Sequence, residues 1–134
     1  MQVIIYTNTN GGVSVCVPTG ELSIEAVLAK DCPSGAIIVD DATLPQGDGV
    51  SFFDAWELAN GSVSVNLDKA KAMTKTRLRA EREPLLQAQD VLFQRAQESS
   101  SDTSAIVAEK QRLRDVTKLV DAETTLEGLR AIKV

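Results

Sequence analysis

The sequence predicts an α+β protein: a small, mostly antiparallel β module with one short helix at residues 1–66, followed at residues 67–134 by a long helix and a helical hairpin arm. Two observations support this division. Residues 1–66 hold one basic residue, Lys30, against eight acidic residues, and the other 13 Lys and Arg residues follow. The first part is also rich in Gly, Val and aromatic residues, whereas the second consists mainly of helix-forming residues. We therefore expect two physically different modules joined near residue 66.

The first strands are indicated by runs of β-branched residues. Residues 3–6 are apolar, residues 13–17 alternate valine with smaller or polar side chains, and an Asn- and Gly-rich segment separates them, which predicts a β-hairpin. Ser23 is a good N-cap for a short helix that must end before Pro33. Residues 36–39 are again apolar and predict a third strand.

The rest of the β module contains a loop and a second hairpin. Residues 42–51 contain proline and two glycines and predict a loop, whereas residues 52–58 predict an aromatic strand. The Asn60-Gly61 pair is a strong hairpin turn, and residues 62–66 alternate valine with polar residues. The module is therefore predicted to contain about five short strands and one helix.

A long helix is predicted at about residues 67–98. This stretch has no glycine, and Asn66 can cap its first turn. A helix of this length spans roughly 45–50 Å. Pro84 leaves two alternatives, because it removes a backbone hydrogen bond: we expect a kink near residue 81, and the other alternative is two helices that meet there.

Two shorter helices are predicted after a polar linker. Residues 99–104 are rich in serine and form the linker. The second helix covers about residues 105–120. The last covers about residues 124–132, with Thr124 or Thr125 as its cap.

The long helix carries a narrow apolar stripe. Leu78, Leu85 and Leu92 recur every seven residues, with Leu86 and Phe93 beside them. The stripe has two interpretations: it packs against the second helix in an antiparallel hairpin, or it forms a seam with another chain.

The cysteine and histidine content excludes several kinds of site. The chain has no histidine, which excludes Ser-His-Asp and Cys-His nucleophile systems. Cys16 and Cys32 do not have the spacing of metal ligands. We expect each to be a small buried apolar residue of a protein in a reducing compartment rather than half of a disulfide.

Acidic residues of the β module do not form a recognisable calcium loop, which needs oxygen ligands at a defined spacing and a late glutamate. We interpret them as turn-forming and solvating residues, and nothing gives them a pocket or a perturbing neighbour for acid–base work. The prediction is therefore a protein that is not an enzyme, with no cofactor and no metal. The acids in question are Asp40, Asp41, Asp48, Asp54 and Glu57.

The basic residues between Lys69 and Arg82 have three interpretations. They form a solvated helix face, they dock on an acidic surface, or they bind nucleic acid. The last is disfavoured, because no aromatic residues are interleaved with the charges and the net charge is −5. The sequence also has no signal-like segment and no apolar run near the ~18 residues of a membrane span. We expect a cytosolic protein with no membrane partner.

A resemblance to a known family rests on three stretches of the arm: VSVNLDKAKAMTKTRLRAEREPLLQAQDVLFQRAQE, AEKQRLRDVTKLV and TTLEGLRAI. They resemble the C-terminal region of tail fibre assembly proteins of tailed bacteriophages and prophages, and the β module before them is similar to the one that precedes that region. The family carries an aromatic residue after the aspartate of its first helix, whereas Val91 follows Asp90 here. The shared pattern matches Arg79, Arg82, Leu85, Leu86, Asp90 and residues 111–117.

The resemblance implies a tail-associated protein that acts by protein–protein binding. It is either a chaperone-like tail fibre assembly factor or a small structural component of the virion tail, located in the host cytoplasm or in the virion. The implied partner is a tail fibre subunit or another tail or baseplate subunit, and a homo-oligomer stays open. The alternatives are a prophage regulatory or nucleic-acid-binding protein that uses residues 69–82 and, least favoured, a small carboxylate-dependent hydrolase.

The candidate partner-binding residues all lie on the arm. For the polar ones we favour a structural network that includes Asp90, in which Arg112 or Arg114 pairs with Asp115, and partner binding is the second interpretation. The full set is Leu78, Leu85, Leu86, Leu92, Phe93, Arg79, Arg82, Arg114 and Asp115.

Overall fold

A computed structural model describes all residues, 1–134, and has the predicted α+β class. The chain forms two compact units, Met1–Ala70 and Lys71–Val134. The division lies about one helical turn after the predicted boundary at 66/67. No helix of the protein combines the length and the apolar character that a membrane crossing requires.

The first unit contains five strands, and every strand pair is antiparallel, as predicted. The first three form one sheet in the order β2-β1-β3, and the last two form a separate hairpin. One helix, α1, lies between β2 and β3 in the sequence. The bounds are Gln2–Thr7 for β1, Val13–Cys16 for β2, Ile24–Asp31 for α1, Ile37–Asp40 for β3, Trp56–Ala59 for β4 and Ser62–Val65 for β5.

The turn between β4 and β5 is the predicted one. Asn60 has a φ of 53° and Gly61 a φ of 78°. A two-residue hairpin turn that matches the twist of its strands needs positive φ at both positions, which Asn-Gly adopts at low cost.

The predicted aromatic strand at residues 52–58 is wrong in its first half. A 3-10 segment, Gly47–Ala55, replaces both the end of the predicted loop and the start of the strand, which begins only at Trp56. The buried indole of Trp56 donates a hydrogen bond of 2.9 Å from Nε1 to the carbonyl oxygen of Gly49. The tight 3-10 path brings this acceptor to the indole, because a buried N–H without a partner costs free energy.

The main core of the first unit lies on one face of the three-stranded sheet. It contains the buried side chains of Val3, Ile5, Val13, Leu44 and Trp56. Side chains alternate along a strand, so Ile4 points to the other face, where it is also fully buried. Helix α1 contacts β1 and β3, and it is therefore the layer that covers this second face.

A polar network fixes the start of the long helix α2, Leu67–Glu98. The Asn66 side chain accepts the backbone N–H of Lys69 at 3.0 Å and donates to Glu57 at 2.9 Å. The Lys69 ammonium closes the network with a 3.0 Å contact to Glu57. Asn66 is therefore the predicted cap, and it also joins the helix to β4.

Helix α2 is continuous through Pro84, so the alternative of two helices that meet there is wrong. Pro84 removes the N–H that would bond to the Ala80 carbonyl. Both residues are exposed, so water can satisfy that carbonyl. A kink near residue 81 stays a prediction.

The predicted helix at 105–120 is two helices, α3 at Ser104–Asp115 and α4 at Lys118–Asp121. Val116 and Thr117, between the two helices, keep helical dihedral angles, so the interruption is slight. Arg82 binds at this point, since its Nη1 donates to the carbonyl oxygens of Leu113 at 3.3 Å and Arg114 at 2.9 Å. In an unbroken helix those carbonyls would accept the N–H groups four residues later.

The last helix, α5, is confirmed at Leu126–Ala131, within the predicted 124–132. Thr125, and not Thr124, is its cap, and the Thr125 hydroxyl accepts the backbone N–H of Gly128 at 3.0 Å.

Candidate protein-binding surface

The second unit is built on an antiparallel hairpin of α2 and α3. Asp90 of α2 contacts Lys110 of α3 at 2.6 Å, while Arg82, two turns earlier on α2, reaches the C-terminal end of α3. The order of these contacts runs in opposite directions along the two helices. The hairpin alternative for the apolar stripe is therefore realised.

The leucine stripe divides into a buried and an exposed part. Leu78 is 0% exposed, whereas Leu85 is 41% and Leu92 is 44% exposed. Leu86 and Phe93 are half-buried. An α-helix has 3.6 residues per turn, so positions spaced by seven drift around its surface, and Leu85 and Leu92 come to lie at the edge of the packed side. Leu78 is inside the protein and is unavailable to a partner.

Four exposed residues of α2, which we call the apolar strip, lie on one side of the helix: Leu85, Ala88, Val91 and Leu92. Ala88 is three residues from both Leu85 and Val91 and four from Leu92, and residues at these spacings are neighbours on a helix, so Ala88 connects the other three. Val91 is 47% exposed. Sequence reasoning missed Ala88 and Val91 because it followed the seven-residue leucine repeat, although the spacing from Leu85 was a usable signal.

The basic residues of α2 are mostly engaged within the chain. The guanidinium of Arg77 donates to the carbonyl oxygens of Leu129 at 3.3 Å and Ile132 at 2.9 Å, and Lys75 contacts Asp121 at 2.6 Å. These contacts leave few cations to neutralise phosphates, which weakens the nucleic-acid alternative.

The two predicted partner-binding arginines of α2 differ in their surroundings. Arg82 holds the end of α3, as described above, so its role is structural. Arg79 is exposed, and its guanidinium makes no hydrogen bond or ion pair within the chain. Of the two, Arg79 is the one whose guanidinium is available to another molecule.

The predicted pairing of Asp115 with an arginine is wrong. Asp115 contacts Lys118 at 2.9 Å and accepts a 3.0 Å hydrogen bond from Gln111. Lys118, and then Gln111, lower the pKa of the Asp115 carboxyl group. Arg112 instead contacts Glu109 at 2.6 Å, because residues three apart are neighbours on a helix. Arg114 is exposed, and only its backbone carbonyl is used.

Phe93 is also engaged by the hairpin. The Lys110 ammonium lies 5.2 Å from the centre of the Phe93 ring, in addition to its contact with Asp90. Lys110 therefore contacts both an acidic and an aromatic side chain of α2. Of the predicted network residues, only Asp90 contacts Lys110, whereas Arg82 and Asp115 make separate contacts.

The acidic residues of the first unit do not form a pair suited to acid–base chemistry. Asp40 lines a shallow groove of about 270 Å³, whereas Asp54 lines a different one of about 240 Å³. The backbone N–H of Ala42 holds the pKa of Asp40 below its usual value, and Lys69 and Asn66 do the same for Glu57. A general acid at neutral pH needs a raised pKa instead.

No group of three or more His, Cys, Asp and Glu side chains is arranged to hold a metal ion. Comparison with protein-family models, with curated proteins and with solved structures finds no match to the chain.

Proposed function

We propose that the protein is a non-enzymatic, protein-binding component of a bacteriophage tail, either a tail fibre assembly factor or a small structural tail protein. The sequence resemblance supplies the class of partner, a tail fibre subunit. The apolar strip is the observation that carries the binding role, because it offers adjacent aliphatic side chains on a helix that is already packed on its other side.

The strip has the composition of a helix face that docks on another protein. Contiguous exposed apolar side chains mark interaction sites more often than scattered ones do. Leu85 and Leu92 each have about two fifths of their surface left to bury. Burying the rest of each leucine against a partner would contribute roughly 1 kcal/mol to the free energy of binding.

The hairpin fixes the strip before a partner arrives. The Asp90–Lys110 contact ties α3 to the same stretch of α2 that carries the strip. A surface that is ordered in advance loses less conformational entropy on binding. An assembly factor that departs and a subunit that stays in the virion would both use such a surface.

A capture assay with the tail fibre subunit of the same phage tests the binding role. Leu92→Glu places a charge in the strip, and we expect it to weaken capture at least about tenfold, which corresponds to ~1.4 kcal/mol. Leu119→Glu is the matched control, since Leu119 is 59% exposed on α4. Its neighbour Asp121 contacts Lys75, which lies roughly 25 Å along α2 from Leu92. Equal capture of both variants would contradict the proposal, as would no capture of the unchanged protein.

Mass spectrometry of purified phage particles distinguishes a structural tail protein from an assembly factor. A structural tail protein is present in particles in a fixed copy number. An assembly factor is found bound to the fibre subunit in the lysate and is missing from the particles.

A further inference from the structure

The two cysteines, Cys16 and Cys32, are separated in the sequence but belong to one region of the first unit. Cys16 is the last residue of β2, and Cys32 is the C-cap of α1. Residues 17–31 form the connection between them, which contains α1.

Strand register places Cys16 on the α1 side of the sheet. Cys16 pairs with Ile4 of β1, and Ile4 pairs with Ile38 of β3, so the three side chains form one row across the sheet. Ile4 is the buried residue on the face that α1 covers, as described above. Cys16 therefore points to the same side as the helix that Cys32 ends.

The two thiols lie close enough to influence each other, since Cys16 is among the groups that raise the pKa of the Cys32 thiol. Both cysteines are free and half-buried, whereas the sequence predicts small buried apolar residues. Burial raises the pKa of the Cys32 thiol, and the neighbouring Cys16 and the nearby Asp31 carboxylate raise it further. The raised pKa lowers the fraction of reactive thiolate at Cys32.

We propose that Cys16 and Cys32 are a dithiol site that closes to an intramolecular disulfide when a low-molecular-weight disulfide, such as oxidised glutathione, is present. The bond joins the end of β2 to the end of α1 and closes the segment between them into a loop.

The reaction balances with one molecule of oxidised glutathione. The thiolate of one cysteine attacks a glutathione sulfur, which forms a mixed disulfide and releases one glutathione thiolate. The thiolate of the second cysteine then attacks the protein sulfur of that mixed disulfide and releases the second glutathione. The protein loses two protons and two electrons, and oxidised glutathione is reduced to two molecules of glutathione.

The test equilibrates the full-length protein with glutathione buffers of graded redox ratio and then blocks free thiols with N-ethylmaleimide. We expect an oxidised product that is lighter by two hydrogen atoms, takes up no maleimide and yields one peptide pair that links Cys16 to Cys32. Mixed disulfides with glutathione on both cysteines, or disulfide-linked dimers, as the main product would overturn the proposal.

Single variants and a denaturant provide the controls. Cys16→Ser and Cys32→Ser each leave one thiol, and the reaction of each variant should stop at the mixed disulfide with glutathione.

In the unchanged protein, the equilibrium constant for disulfide closure should be at least about tenfold larger in native buffer than in concentrated urea, because the fold holds the thiols together. Equal constants in the two solvents would show that the fold does not bring the cysteines together and would overturn the proposal.

Discussion

The two arginines Arg79 and Arg82 show how much a single residue's role depends on its distant neighbours. Both belong to the pattern from which partner binding was predicted. The guanidinium of Arg82 bonds to the carbonyls of Leu113 and Arg114, whereas the guanidinium of Arg79 bonds to no other group of the chain. The sequence could not distinguish them, because the acceptors are backbone carbonyls. Every residue has such a carbonyl, so it leaves no signature in the sequence.

Replacing Arg82 tests its structural role. Arg82→Ala removes two hydrogen bonds from a charged donor, and we expect the free energy of unfolding to fall by about 1–2 kcal/mol. Arg79→Ala, the matched control, should change it by less than about 0.5 kcal/mol. Urea-induced unfolding measures both values. If the two variants were equally stable, the Arg82 contacts would contribute nothing to stability.

Among the elements, α2 shows what a sequence pattern predicts well and what it does not. Composition and the Asn66 cap predict its bounds at 67–98, because both act within a few residues of the chain. The packed side of the helix was only partly predicted. It depends on where α3 lies, and the seven-residue repeat beginning at Leu78 does not encode that position.

The 3-10 segment Gly47–Ala55 was missed for a related reason. Its aromatic residues have a high preference for strands when only their neighbours in sequence are considered. The path of the backbone instead brings the Gly49 carbonyl to the buried indole of Trp56, which donates a hydrogen bond to it. A burial-dependent contact of this kind cannot be read from local preference.

Truncating the leucines of α2 one at a time tests the division of the stripe. Leu78→Ala should lower the free energy of unfolding by about 2–5 kcal/mol, because it leaves a cavity at a fully buried position. Leu85→Ala removes a side chain that is 41% exposed and should cost less than about 1 kcal/mol. Denaturant titration of both variants gives the comparison. Similar losses at the two positions would contradict the assignment of Leu85 to the surface.

On the scale of the whole molecule, the acidic and the Lys- and Arg-rich parts of the sequence correspond closely to the two compact units. Lys71–Val134 contains 12 Lys and Arg residues and 10 acidic residues, and several of them pair within the unit, as the Lys75–Asp121 contact illustrates. Net charge and composition predicted this architecture because they average over many residues. They carry no comparable information about a partner.

Acid should destabilise the protein through these contacts. The Lys75 ammonium, which bonds to the Asp121 carboxylate, lowers the pKa of Asp121 from its ordinary 3.8. The contribution of the pair to stability is therefore fully present above the ordinary pKa, and it is lost as the pH falls through the lower pKa of the folded state. We expect the free energy of unfolding to decrease below about pH 4.

Amide variants show which carboxyl group is responsible for the acid effect. Asp121→Asn should reduce the decrease in stability between about pH 5 and pH 2, because its side chain no longer titrates. Glu127→Gln is the control, since Glu127 is exposed and its carboxylate forms no ion pair or hydrogen bond. Thermal unfolding across this pH range provides the measurement. An unchanged pH profile for Asp121→Asn would remove this carboxylate from the explanation.

The buried indole of Trp56 gives the chain a built-in optical label. It is the only tryptophan, and it lies in the core of Met1–Ala70. Its fluorescence therefore follows the sheet-bearing unit alone, whereas far-ultraviolet circular dichroism is dominated by the longer helices. The two signals, recorded on one sample without any added dye, follow the two halves of the molecule separately during denaturation.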